Sequence, residues 1–281
     1  MASKIIKKEL FPGIPIEDVI SHQDCIDNMS AICNIRQTGQ DIFFRAKKIF
    51  NTSSYPCDTQ WEISENSIGE ESSNGLVYEG NCDGESKEYA LKYINLKNLS
   101  TQDLKNIAKE INIQQLVYKK SGFTTPIYQI FINDEYLMFV TDKLNTTVYR
   151  YLMRMIKRDT SLQTIETLKK ILKTCYDISI ELMKTHNIFH GDEHLNNFML
   201  TDDFNEENFD PSAIKIIDFG KTNVYNSIDQ RAKMILFKQR LDAINSLIDF
   251  NLNNFRYNKP LLLKSVSDLM PNINEYLIQK I

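Results

Sequence analysis

NIFHGDEHLNNFML, residues 187–200, is the stretch on which the fold turns. Hydrophobic flanks bracket a polar run, His190-Gly191-Asp192-Glu193-His194-Leu195-Asn196-Asn197. Gly191 and the paired asparagines disfavour a helix, because glycine leaves the backbone too free and Asn side chains compete for backbone hydrogen bonds. The run therefore reads as a loop between apolar strands. Asp192 precedes Asn197 by five residues. A carboxylate and a carboxamide at that spacing can converge on one site, the Asp to accept a proton and the Asn to hold a divalent ion. Asp218 follows Asn197 by twenty-one residues, in Ile216-Ile217-Asp218-Phe219-Gly220. An acidic residue at a strand end is well placed for a hard cation such as Mg2+. Taken alone, Asp-Phe-Gly is also what a strand running into a turn looks like.

The histidines around this loop offer a second chemistry. His186, His190 and His194 fall at i, i+4 and i+8, which on a continuous helix would align three imidazoles and suggest zinc. Gly191-Asp192 interrupts such a helix, and no carboxylate or cysteine completes a familiar zinc signature. His186 also reads simply as the last turn of a helix, where positive charge is mildly favourable.

Moving upstream, SLQTIETLKKILKTCYDISIELMKTHN (161–187) reads as a long helix, apolar at Leu168, Ile171, Leu172, Cys175, Ile178 and Leu182. TTVYRYLMRMI (146–156) reads as a shorter one. Before them the pattern is that of strands: WEISENSI, GLVYEG, EYALKYINL, PIYQIFI and YLMFVT, with turn-rich GEESSNG and NCDGESK between the first three. A helix interrupts the strands over 101–120, with Ser100 or Thr101 as N-cap and Leu104, Ile107, Ile111 and Val117 on one apolar face. Apolar residues in 15–50, among them Val19, Ile26, Ile35 and Phe43, suggest a helical N-terminal extension. NTSSYPCDTQ (51–60) reads as a linker. Downstream, acidic TDDFNEENFD (201–210) reads as a hairpin turn, and 228–250 as a further helix.

Asp192 to Asn197 together with Asp218-Phe219-Gly220 resemble the catalytic loop and metal-binding motif of the protein-kinase-like superfamily. Other pieces stand in the family's order. Gly69 and Gly75-x-Val77 resemble its glycine-rich loop, with one residue more than usual between the glycines and no middle Gly. Lys92, in Tyr89-Ala90-Leu91-Lys92, resembles the phosphate-contacting lysine, and Glu110 lies eighteen residues on, inside the helix where its partner belongs. FVTDKL (139–144) resembles the hinge.

The resemblance covers roughly residues 61–225. It implies an α+β, bilobal fold: a five-stranded antiparallel N-lobe plus one helix over 61–142, after the helical extension of 1–60, and a compact, mainly helical C-lobe over 143–281. It further implies ATP and Mg2+ as cofactors. Lys92 would contact the nucleotide phosphates and be held by Glu110. Gly69, Gly75, Val77, Ala90, Thr141 as gatekeeper, Asp142 and Leu144 would line the nucleotide. Asn197 and Asp218 would hold Mg2+, and Asp192 would orient and deprotonate the acceptor hydroxyl.

Three departures narrow the subtype. Gly191 stands where many protein kinases carry an Arg that pairs with a phosphorylated activation loop, so a switch by phosphorylation at Thr222 or Tyr225 is not expected. His194 replaces a Lys that in typical Ser/Thr kinases contacts the γ-phosphate. His-Gly-Asp-x-His-x-x-Asn resembles haspin-like kinases, kinases of large DNA viruses, and aminoglycoside and choline phosphotransferases. His194 would donate to the phosphate or to Asp192, or else simply pack to support the loop. No Ala-Pro-Glu follows Asp-Phe-Gly, and only 61 residues follow Gly220. The expectation is an atypical Ser/Thr protein kinase. The alternatives are a small-molecule phosphotransferase and a pseudokinase serving as a scaffold.

Composition excludes other classes. Hydrophobic residues are 42% and charged residues 25%, which rules out global disorder. A formal net charge of −4 argues against coating nucleic acid. Five cysteines without a C-x-x-C pair suit a reducing compartment and argue against a disulfide scaffold or zinc ribbon. No apolar run is long enough to span a bilayer, MASKIIKKEL lacks a signal-peptide core, and Ala2 stands where myristoylation wants Gly. The expectation is an intracellular, soluble protein acting on a protein substrate, without membrane or nucleic-acid partners. If the source is viral, that means host cytoplasm or virion.

Overall fold

The structure is a computed structural model, and it describes residues 2–10, 32–37, 42–51, 60–68, 75–82, 86–158 and 162–224. The chain divides into two compact units. One holds residues up to Leu116 together with Thr125–Lys143, and the other holds Val117–Thr124 together with the chain from Leu144 onward.

The first unit opens with helix α1 (Ala2–Glu9) and strands β1 (Ile32–Gln37) and β2 (Ile42–Asn51). Then come β3 (Gln60–Ser67), β4 (Leu76–Cys82), β5 (Tyr89–Asn95), helix α2 (Thr101–Ser121), β6 (Ile127–Ile132) and β7 (Tyr136–Asp142). Strands β3 to β7 pair antiparallel in the order β3-β4-β5-β7-β6. This is the five-stranded sheet with one helix that the alternating pattern suggested. β2 adds antiparallel to β6, and β1 joins β2 antiparallel and β3 in parallel. Together they close the sheet into a barrel.

The linker reading of 51–60 is corrected at its two ends, Asn51 and Gln60, which belong to strands, and the helical reading of 15–50 is corrected at 32–37 and 42–50, which are strands too. The rest of that segment lies outside the described residues, as does the 228–250 helix. ICNIRQ and IFFRAKKIFN are rich in β-branched and aromatic residues. They had two edges to complete, and pairing partners outweighed a loose helical spacing. One disulfide stands against the expectation of a reducing compartment. Cys82 is disulfide-bonded, while Cys175 is free and buried.

Two apolar layers hold the unit. Ile35, Trp61, Ile63, Tyr78, Leu91, Phe131, Met138 and Val140 form one cluster, in which the Trp61 indole donates to Gln129 Oε1 at 3.1 Å. The alternate residues of β5 to β7, Ile94, Ile130, Ile132, Leu137 and Phe139, pack with Leu104 and Ile111 of α2 and with Ile6 of α1. Period-2 alternation thus serves both faces of the sheet. Helix α2 starts on a capping box: Ser100 Oγ accepts from the Asp103 N–H at 3.2 Å, and the Asp103 carboxylate accepts from the Ser100 N–H at 3.0 Å.

The second unit is mainly helical. After the short strand β8 (Thr146–Thr147), helix α3 (Val148–Arg158) buries Val148, Leu152, Met155 and Ile156 along one face. Helix α4 (Leu162–His186) buries Leu168, Ile171, Leu172, Cys175, Ile178 and Leu182, the face its 3.6-residue period marks out. Short strands β9 (Ile188–Phe189), β10 (Phe198–Leu200), β11 (Ile214–Ile216) and β12 (Asn223–Val224) complete it. They form two small sheets, β11-β10-β8 and β12-β9. Residues 201–210 lie in the β10–β11 connection, where Asp210 caps a 3-10 turn (Pro211–Ala213) through the Ser212 N–H.

Candidate active site

In the first unit, β5 places Lys92 opposite Val77 of β4 and Phe139 of β7. Its ammonium meets Glu110 Oε1 of α2 at 2.5 Å. The two side chains are 14% and 7% exposed, so this is a nearly buried ion pair. Removing either partner would strand the other charge at a cost of roughly 3–5 kcal/mol. Ala90 pairs in register with Thr141, and the Thr141 hydroxyl donates to Thr125 Oγ1. Asp142 accepts from Lys87 and from the Tyr128 hydroxyl, each at 2.9 Å. Lys143 bridges Glu79 at 2.7 Å and Glu88 at 2.6 Å. Gly75 has φ +113°, and a Cβ there would stand 2.2 Å from the Tyr93 carbonyl oxygen. That glycine is required by close backbone contact with β5. Gly69 lies outside the described residues.

In the second unit, the hairpin of β10 and β11 explains how residues far apart in sequence meet. Asn197 immediately precedes β10, Asp218 follows β11, and the Ile217 N–H donates to the Asn197 carbonyl at 2.8 Å. The loop 190–197 is fastened at both ends. His190 is buried, and burial pushes its pKa down to about 4. The neutral ring shares a 2.9 Å hydrogen bond with the Ile217 carbonyl, which assigns the proton to Nε2. Its Nδ1 has no partner among the described residues. The ring packs edge-on against Phe219 with centroids 5.1 Å apart. The Thr222 hydroxyl, fully buried, donates to the His190 carbonyl at 3.1 Å.

Asp192 is the centre of the loop. The Asn197 amide donates to the Asp192 carbonyl at 2.9 Å and, more weakly, to its Oδ2 at 3.4 Å. His194 Nε2 stands 3.6 Å from the same Oδ2, beyond hydrogen-bond distance. Lys221 Nζ meets Oδ1 at 2.9 Å. Glu193 is buried beside it. Desolvation, with repulsion from Asp192, pushes its carboxyl up to about 7 against backbone N–H donors of the loop. Asp218 occupies the left-handed region (φ 63°, ψ 76°), and its carboxylate accepts from the Gly220 N–H at 3.3 Å.

These residues fit a hard divalent cation. With its NH2 group turned to Asp192, Asn197 presents its carbonyl oxygen in another direction, and Asp218 offers a carboxylate. Both are oxygen donors of the kind Mg2+ selects, and Mg2+ ordinarily takes one or two protein ligands and completes its shell with phosphate and water. The zinc reading has no such support: no group of three or more His, Cys, Asp or Glu among the described residues is placed to hold a metal.

The structure thus gathers Lys92 with Glu110 in one unit, and Asp192, His194, Asn197 and Asp218 in the other. Leu144 is half-buried in the second unit. Two groups escaped the sequence reading, Glu193 and Lys221. A buried Glu among polar neighbours has no periodicity to betray it. Lys221 follows Asp-Phe-Gly directly, and its only sequence signal is the missing side chain at Gly191.

The family model described as protein kinase domain matches residues 63–238, well over half of the chain. No curated protein matches it.

Proposed function

Since the chain belongs to the protein kinase family, a group of phosphotransferases, we propose that it is an active, atypical serine/threonine protein kinase that transfers the γ-phosphate of ATP to protein hydroxyls. The observation that carries the reading is the ordered constellation itself: Lys92 paired with Glu110, and Asp192 fastened by Asn197 on a loop locked to the Asp218 turn.

Each residue has a task. Lys92 binds the nucleotide phosphates, and Glu110 holds it extended. Asn197 and Asp218 would hold Mg2+, which when bound neutralises phosphate charge. Asp192 aligns the acceptor hydroxyl and takes its proton, a contribution of about 10²–10⁴ in rate for a positioned base. The remaining stabilisation comes from fixed charge aimed at the transferring group. The haspin-like and viral affinity rests on Gly191 and His194. The same two residues favour the second reading, a small-molecule phosphotransferase. We also propose the division of the kinase portion at residues 142/143, an intracellular location, and a protein acceptor as partner. Among the described residues no helix is long and apolar enough to cross a membrane.

The test is radiolabelled-ATP transfer with Mg2+ to a generic protein mixture, comparing the intact chain with Asp192→Ala and Lys92→Ala. Label on protein from the intact chain alone supports the proposal. ATP binding without label on any protein would sink it, and a panel of small alcohols would then separate the small-molecule enzyme from the pseudokinase.

A further inference from the structure

Phosphoryl transfer gathers negative charge on the transferred group and needs a cation there that is fixed before the reaction begins. The loop that carries Asp192 has no lysine or arginine between residues 190 and 197. Its His194 ring stands off Asp192 at 3.6 Å, and His194 Nδ1 is buried without a partner among the described residues. The cation that does reach the loop comes from outside it. We propose that Lys221 is a catalytic residue of this kinase, the ammonium group that contacts the transferred phosphoryl. The inference rests on the kinase reading above.

The position of Lys221 is built by the fold. Its backbone ends a 3-10 turn (Phe219–Lys221), which Asp218 caps through Gly220. Thr222 then ties the chain to His190 through its buried hydroxyl, and β12 pairs with β9 in front of the loop. Gly191 makes the close approach possible. It has φ +82°, and a Cβ there would stand 2.6 Å from the Lys221 carbonyl oxygen. Any side chain at 191 would push the Lys221 backbone away. The glycine and the lysine are therefore two halves of one arrangement.

From this backbone the side chain reaches Asp192 Oδ1 at 2.9 Å. Lys221 is 64% exposed and Asp192 only 10%, so the ammonium stands on the open side of the base. An ammonium bonded to the carboxylate that receives the hydroxyl proton lies within reach of the oxygen being phosphorylated. In the reaction the acceptor oxygen bonds to the γ-phosphorus as the bond to the β–γ bridging oxygen breaks. ADP leaves with that electron pair, and the hydroxyl proton passes to Asp192. Lys221 stays protonated throughout and shifts from Asp192 toward the phosphoryl oxygens. Before the transfer it keeps Asp192 turned toward the acceptor.

The experiment is steady-state transfer from MgATP to a protein that the intact chain labels, using Lys221→Ala, Lys221→Arg and His194→Ala in the full chain. The expected result is a fall in kcat of about 10²–10³ for Lys221→Ala. KM for ATP should change less than about threefold, Lys221→Arg should regain at least tenfold, and His194→Ala should lose less than Lys221→Ala. Thermal melting with and without MgATP accompanies each variant, since an exposed lysine should be replaceable without loss of fold. An undiminished or raised kcat for Lys221→Ala would overturn the proposal, the raised value marking the ion pair as a restraint. So would a loss matched by a lower melting temperature and not regained by arginine. Absence of transfer by the intact chain itself would overturn the kinase reading, and the proposal with it.

Discussion

Glu193 is a carboxyl held out of water beside a second carboxyl, and its displacement has a pH signature. The group's ordinary value is 4.5 and its folded value about 7. Between these the folded chain keeps a proton that the unfolded chain releases, so stability falls as pH rises through the window. The loss amounts to roughly 3 kcal/mol at completion. Glu193→Gln mimics the protonated form. It should melt well above wild type at pH 8 and alongside it near pH 4.5, as calorimetry would show; a difference independent of pH would count against the assignment. Gly191 gives a second prediction. Restoring the arginine common at this position forces a side chain into a left-handed backbone site against the Lys221 carbonyl. Gly191→Arg should lose at least about 1–3 kcal/mol of stability, read as a lowered denaturation midpoint. It should also lose the Lys221–Asp192 ion pair, read as a fall in kcat. At this scale the sequence spoke through its polar loop residues. Asp192, Asn197 and Asp218 stood out through the five-residue spacing within the loop, the strand-end Asp-Phe-Gly and their resemblance to kinase motifs. Lys221 did not, because its effect depends on a backbone approach that no single-residue pattern encodes.

Among elements, legibility followed the range of the contacts that decide them. β3 to β7, α2, α3 and α4 carry their own evidence in alternation, caps and helical faces, and the structure places them close to where that evidence puts them. β1 and β2 do not. Their partners are β3 and β6, and the β6 edge lies some eighty residues downstream: Lys47 pairs with Ile132. A local window cannot see an edge waiting to be filled. The prediction at this scale concerns those edges. A chain beginning at residue 60 would leave β3 and β6 each with a row of unpaired backbone groups, and would strip Ile6 from the cluster on α2. Exposed edges invite pairing between chains. Such a chain should scatter light on concentration and melt lower than the full one. A monodisperse truncated chain of equal stability would mean that β1 and β2 are dispensable.

At the scale of the whole molecule, a ligand that binds only the folded chain should raise its stability. At about one hundred times its Kd the gain is roughly 2.7 kcal/mol, which for a chain of this size corresponds to a rise in Tm of roughly 5–10 °C. MgATP should produce such a shift in a thermal melt, and chelating the metal should shrink it. Asp218→Asn should shrink it in the same way, without the chelator. A shift equal with and without the metal would speak against Asp218 and Asn197 as its ligands. The barrel also sets an order of events during synthesis. β2 ends at Asn51, and its neighbour β6 ends at Ile132, so 132 − 51 = 81 residues must be added before that seam can form. At about 5–20 residues per second, the edge of β2 that will face β6 waits roughly 4–16 s for its partner. The nascent chain therefore holds an edge of its early-made sheet in reserve for a late-made strand, and the ribosome's pace between Asn51 and Ile132 decides how long that edge stays open to the wrong partner.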